Sequence, residues 1–317
     1  LYYNLFELLY NFFTGNWHEI KEYDEDLVDL NLRIGASWHL LTYIAFHGFI
    51  TIDQGAFKET EIIISKLSEI WQDYENENAK DYRYVLKIRL LMKSRKLYDA
   101  QIEADSWISF LNQTERELSV FDNLGLKAII QIYLEDIDGA RESLIKGKEI
   151  ELKQGRLPPY FLSNYLVGQF LLDLYLLEQT IISDHKLDIP KCRKNAYKSG
   201  KNALKNSNKY ALNKTETLKL MGLYNWLIGR QNKALEWWHK SIKEGEGLGA
   251  RVELARTYME IGKRLLEEKS RFHELSGIKA EEYLEKARTL FEEMELQWDL
   301  DELDKIIAYS RPSSIAI

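Results

Sequence analysis

The chain has 317 residues, 45% of them hydrophobic, with a net charge of −7, four prolines and one cysteine. That apolar content excludes a disordered chain. The lone Cys192 excludes a disulfide framework and points to a reducing, cytoplasmic compartment, while few prolines and no hairpin signal point to helices.

The first residue, Leu1, opens directly into the apolar pattern Leu1, Leu5, Leu8, Leu9, Phe12, as a piece of a longer protein would. Beyond it, compact residues recur at i, i+4 and i+7, which places them on one helical face. Such a triplet suits the crossing point of a helix pair. It occurs as Ile20-Asp24-Leu27, Thr60-Ile64-Leu67, Ala100-Ala104-Trp107, Ala140-Leu144-Gly147, Ala196-Gly200-Ala203, Ala234-Trp238-Ser241 and Ala280-Leu284-Ala287. The first four lead positions, 20, 60, 100 and 140, are evenly stepped, and the next three, 196, 234 and 280, are not. A constant step followed by insertions marks a repeat array with lengthened loops. Turn residues precede the triplets, as in Gly15-Asn16-Trp17, Gly55-Ala56-Phe57, Asp136-Ile137-Asp138 and Gly229-Arg230-Gln231. Gly serves there because tight helix–helix turns demand positive φ.

The expected fold is all-α: a tetratricopeptide (TPR)-like α-α superhelix, or solenoid, of about seven degenerate helix pairs over residues 1–308. Its insertions fall at 183–191 and 270–277. A capping helix over Trp298 to Ala308 closes it, with Asp299, Asp301, Glu302 and Asp304 on a solvated face. Residues 309–317 are expected to be a disordered tail. The apolar run Tyr160 to Ile182 carries Asn164, Gln169, Asp173 and Glu178, which are costly in lipid, so it reads as a buried helix and no membrane partner is expected.

No motif carries reaction chemistry. Gly245-Glu246-Gly247-Leu248-Gly249-Ala250 follows no strand, so it reads as an inter-repeat turn and not as a phosphate cradle. The six histidines include no i, i+3 or i+4 pair. The chain is therefore expected to be no enzyme and to need neither cofactor nor metal. Trp107 and Trp238 fall inside triplets and are expected in the core.

Two sets of residues are candidates for binding. The repeat register places Tyr82, Arg89, Lys93, Asp122, Lys219 and Trp226 on the first helices of their pairs, facing a concave groove of mixed charged and aromatic character. Such a groove suits an extended or helical peptide. Separately, residues 191–209 hold Lys191, Arg193, Lys194, Lys198, Lys201, Lys205 and Lys209 without one acid, so the rest of the chain carries about −14. The stretch reads as the solvated outer face of a second helix or, through Lys194, Lys198 and Lys201, as a docking point for an anionic protein partner. Nucleic acid is not expected, because the stretch lacks interleaved aromatics beyond Tyr197 and Tyr210.

The C-terminal third resembles a known family. Ala234-Leu235-Glu236, Ala255-Arg256-Thr257-Tyr258, the run from Glu281 to Met294 and Leu296-Gln297-Trp298-Asp299-Leu300-Asp301-Glu302-Leu303 look like the closing TPR-like repeats of large bacterial signalling proteins. In that family a class III adenylate/guanylate cyclase or Ser/Thr kinase domain precedes an AAA/STAND-type ATPase. A TPR-like tail follows. The resemblance covers roughly residues 230–308, and the cyclase and ATPase motifs have no counterpart in this chain. It implies a regulatory sensor or scaffold tail that binds a protein or peptide, or other domains of its own polypeptide. A free-standing TPR adaptor and a peptide-pheromone receptor are the alternatives.

Overall fold

The computed structural model describes residues 1–114 and 116–310, the last two of these by backbone alone. Among the described residues it holds fifteen α-helices and a single two-stranded hairpin, so the chain is all-α. The helices are α1 Tyr2–Thr14, α2 Glu25–Leu32, α3 Trp38–Gln54, α4 Phe57–Tyr74, α5 Glu77–Lys93, α6 Leu97–Leu111, α7 Glu117–Tyr133 and α8 Ile137–Gln154. They continue as α9 Pro159–Ile182, α10 Ile189–Ser207, α11 Lys214–Leu227, α12 Gln231–Leu248, α13 Arg251–Leu265, α14 Ala280–Glu293 and α15 Gln297–Ser310. Among the described residues, no helix is long and apolar enough to cross a membrane.

Six of the seven triplets lie on the second helices of their pairs, α4, α6, α8, α10, α12 and α14, and all eighteen of their residues are buried. Each of the first helices α3, α5, α7, α9, α11 and α13 packs against its own second helix and against the next odd-numbered helix, and each second helix also meets the following first helix. Side-chain volume is traded across these crossings. Trp238 of α12 is fully buried, and its Nε1 donates to the Lys219 carbonyl at 3.2 Å. Gly222 of α11 lies against that indole, where a Cβ would overlap it.

The first triplet departs from expectation. Ile20 follows a 3₁₀ turn at Trp17–Glu19 and is not helical. Asp24 is the N-cap of α2, accepting from the Leu27 amide at 2.9 Å. A short acidic side chain just before a helix is held outside it by this capping bond. The second helix of that pair is therefore only eight residues long.

The turns repeat more faithfully than the glycines do. Gly15, Gly55 and Gly229 have positive φ five residues before their lead positions, and Arg95 (φ 60°) and Glu135 (φ 62°) take the same place before theirs. The 183–191 insertion is the α9–α10 turn, and Pro190 sits in the first turn of α10. The 270–277 insertion folds into an antiparallel hairpin, Glu274–Leu275 with Ile278–Lys279. The last helix runs to Ser310, two residues past the expected boundary, and the rest of the expected tail lies outside the described residues.

One apolar core extends from Leu5 to Ala250, and a second from Trp226 to Leu303. The array also curls until distant pairs touch. Helix α13 packs on α3, Met294 covers Gly55, and Leu248 and Ala211 lie against Gly15.

Candidate functional site

The first helices of the early pairs surround a cleft of about 490 Å³. Its walls come from α1, α3, α5, α7 and α9, with Trp107 of α6 and Arg116, the residue just before α7. Side-chain caps set the mouth. Ser37 accepts from the Leu40 amide at 3.3 Å to start α3, and Asn76 accepts from the Asn78 and Ala79 amides to start α5. The Asn76 amide also donates to the Ala36 carbonyl at 3.1 Å, so the two helices begin side by side. Their N-terminal halves then line the opening, and their C-terminal halves run inward.

The lining is aromatic with a few fixed polar groups: Phe13, Trp38, Phe46, Tyr82, Tyr160 and Phe161 around Thr42, Asp81, Ser119 and Asp122. Tyr82 and Thr42, one repeat apart, share a hydroxyl hydrogen bond at 3.2 Å. Asp81 accepts from Trp107 Nε1 at 2.6 Å and from the Ser119 hydroxyl at 3.0 Å, and Arg116 lies 3.4 Å away. Burial pushes its carboxyl upward against these stabilising partners.

Beneath the aromatics lies a relay of buried polar groups. On α7, Gly125 faces the backbone of Asn164 and Tyr165 so closely that a Cβ would collide with it. This approach sets the Asn164 amide 2.7 Å from Asp122 Oδ1, while the Asn164 oxygen accepts from Arg89 Nη2 at 2.8 Å and Asn213 at 3.2 Å. Arg89 also lies over the Phe49 ring. Burial pushes Asp122 up to about 6.

Deeper still, where α3 and α5 meet α11 and α13, the interior is ionic. Lys93 Nζ is 2.7 Å from Glu253, 3.5 Å from Asp53 and 3.6 Å from Glu216. Lys219 binds the other Glu253 oxygen at 2.7 Å. Arg256 donates to both oxygens of Asp299, at 2.9 and 2.8 Å, and to the Lys93 carbonyl at 2.7 Å. Lys93 is held charged above the usual lysine range by the three carboxylates, which outweigh its desolvation. Glu253 is held well below the usual carboxylate range by Lys219, Lys93 and Arg256, again against burial.

The structure therefore divides the groove residues expected from the register. Tyr82 and Asp122 line the cleft, Arg89 supports Asp122 through Asn164 from one layer below, and Lys93 and Lys219 are locked in the ionic interior. Trp226 is 2% exposed, with its ring on Trp238 and its Nε1 donating to Glu267 at 2.9 Å, so it is core and not groove. Trp226 is covered by its neighbours α12 and α13, while Lys93 is enclosed because the curl of the array brings α13 onto α3. Asp299, expected on a solvated cap, is fully buried because α15 packs on α13, where Arg256 binds both its oxygens. Lys194, Lys198 and Lys201 are exposed on α10 and take no part in the cleft. Sequence reasoning missed Trp38, Phe46, Asp81 and Tyr160. It missed Thr42 and Asp53 as well, which the even step could have found, since Thr42, Tyr82 and Asp122 are successive equivalents along the chain, as are Asp53 and Lys93. Among the described residues, no group of three or more His, Cys, Asp or Glu could hold a metal ion. Compared with known protein families and with curated proteins, the chain gives no match.

Proposed function

We propose that the chain is a TPR-like α-α superhelix that works as a non-catalytic protein- or peptide-binding module, the cleft being its binding site. The observation that carries this reading is the cleft itself: aromatic rings from successive first helices surround buried, pre-oriented polar groups. A concave, mostly apolar site with a few fixed polar groups is what ligand recognition requires. Tyr82 and Trp38 are the anchors. Asp122, fixed by Asn164 and Arg89, supplies an acceptor that needs no reorganisation on binding. The occupant is an extended or helical peptide segment with aromatic or aliphatic side chains.

The resemblance of residues 230–308 to the closing repeats of bacterial ATPase–cyclase signalling proteins supports a regulatory role. In that setting the module is a sensor or scaffold tail, and occupancy of the cleft biases the curl of the array. Panning a displayed peptide library on the purified chain tests the binding role. Enriched peptides are expected to carry aromatic residues and to bind Trp38→Ala/Tyr82→Ala at least about tenfold more weakly, as hot-spot truncation does. Enriched peptides that bind this variant as well as the parent would remove the cleft from consideration.

A further inference from the structure

The second helices carry another surface that shares no lining residue with the cleft. Helix α10 turns Ala196, Gly200 and Ala203 inward, which leaves its basic side chains outside. All seven cations between 191 and 209 are exposed, and among the described residues none of them forms an ion pair. Elsewhere the fold readily pairs its cations, as at Lys66, Arg83, Lys127 and Arg264. Lys194, Lys198, Lys201 and Lys205 follow helical spacing, so they form one stripe along α10.

On the same helix as that stripe, Leu204 and Asn208 line a groove of about 610 Å³ between α10, α11 and α12, bounded also by Gly15 and His18. Its floor is apolar, with Leu204, Leu218 and Trp237. Lys240 and Lys243 stand exposed on the α12 wall, with Lys240 Nζ 4.5 Å from the Trp237 ring centroid. The one acidic lining residue, Glu244, is bound by Lys214 at 2.8 Å. An apolar trough with Lys240 and Lys243 on one wall and the lysine stripe of α10 outside the other has a defined complement: a chain of carboxylates interrupted by an apolar side chain that can enter the trough.

We infer that the α10–α12 groove and the lysine stripe beside it form a docking surface for an acidic peptide segment carrying a Trp or Leu anchor. The groove admits single side chains, which a segment supplies and a flat bilayer surface does not. The approach of such a segment is steered by the local positive field, which is uncommon on a chain of net charge −7.

A fluorescein-labelled Glu-rich peptide with one Trp and one Leu, beside its Gln-for-Glu counterpart, tests this by fluorescence anisotropy. The acidic peptide is expected to bind and the Gln peptide not to. Binding should fade from about 0.1 M to about 1 M salt, over which the Debye length falls from about 10 Å to about 3 Å. Lys198→Glu/Lys201→Glu/Lys240→Glu/Lys243→Glu alters exposed side chains alone, so its circular dichroism should match the parent while affinity drops by about tenfold or more. Trp237→Ala should weaken the same peptide without changing its salt dependence, and Tyr82→Ala in the cleft should leave it unaffected. Equal binding of the Gln peptide, or unchanged affinity in the charge-reversed variant, would overturn the inference. So would oligothymidylate or phosphatidylserine vesicles displacing the peptide at lower concentration than the unlabelled peptide does.

Discussion

Replacing Lys93 by Met tests whether the ionic interior is what holds the curled array together. Lys93 is 3% exposed and faces three carboxylates, from α3, α11 and α13. Methionine fills similar volume but leaves Asp53, Glu216 and Glu253 with Lys219, Arg256 and the more distant Arg89 to balance them. Removing one partner of a buried pair costs about 3–5 kcal/mol, because the remaining charge stays desolvated. The cost should be greatest at neutral pH. Asp53 is already pushed above its usual value by burial, and without Lys93 it rises further. A carboxyl whose folded pKa is raised binds more protons folded than unfolded, so lowering the pH through that folded value recovers stability. The penalty of Lys93→Met should therefore shrink between pH 7 and pH 5. Urea unfolding followed by tryptophan fluorescence at both pH values measures it. A penalty under about 1 kcal/mol at pH 7 would show that the cluster is incidental to stability. A penalty that does not change with pH would show that the stranded carboxylates are not its source. Adding Glu253→Gln to Lys93→Met should recover part of the loss, a coupling that a cavity effect alone does not produce.

Three further outcomes follow from the geometry. Glu135 is exposed and holds φ 62° in a turn, so Glu135→Gly should raise stability by about 1 kcal/mol in thermal or urea melts, since a left-handed non-glycine residue costs about 1–2 kcal/mol. Asp122 is buried with its carboxyl pushed up to about 6, so stability is lost as pH rises from the ordinary carboxylate range through that value and stays lost above it. Asp122→Asn should be more stable than the parent at pH 7.5 by up to about 3 kcal/mol, with the difference gone by pH 4. Gly125→Ala should destabilise by about 1–3 kcal/mol through overpacking between α7 and α9, read from the urea midpoint, despite alanine's better helix propensity.

The helix pairs were legible because a crossing point tolerates few side chains. Ala100, Ala104, Ala140, Ala196 and Ala203 are compact, so the step between units shows through a degenerate sequence. Two of the turns were legible without glycine: Arg95 and Glu135 stand where Gly15, Gly55 and Gly229 stand elsewhere, because Schellman-type bonds, such as Asp136 N to Gln131 O at 2.9 Å, enforce positive φ. The cleft was half legible. Register alone put Tyr82 and Asp122 on the inner face, yet it could not tell them from Lys93 or Trp226, which share that face. Trp226 is set apart by its neighbours Trp238 and Glu267, and Lys93 by the curvature of the whole array, which sums small rotations at every crossing. No local pattern records that sum. The ionic interior was invisible for the same reason, since Lys93 and Glu253 lie 160 residues apart in the chain. The basic stripe on α10 was legible outright, because a helix whose inward face is Ala196, Gly200 and Ala203 has one side left for its cations.

The meeting of early and late helix pairs changes how the molecule comes apart. An open stack frays from either terminus, because each terminal unit has a neighbour on one side only. Here Met294 rests on Gly55 and Arg256 reaches the Lys93 carbonyl, so the second and third pairs are clasped by the seventh. Fraying from the C-terminal side must first break that clasp, and breaking it releases the early pairs as well. Forming it demands that segments far apart in the chain find one another, which slows assembly. Hydrogen exchange would register this as amides of α5 and α13 opening together, as hoops on a barrel slacken together once one seam is cut.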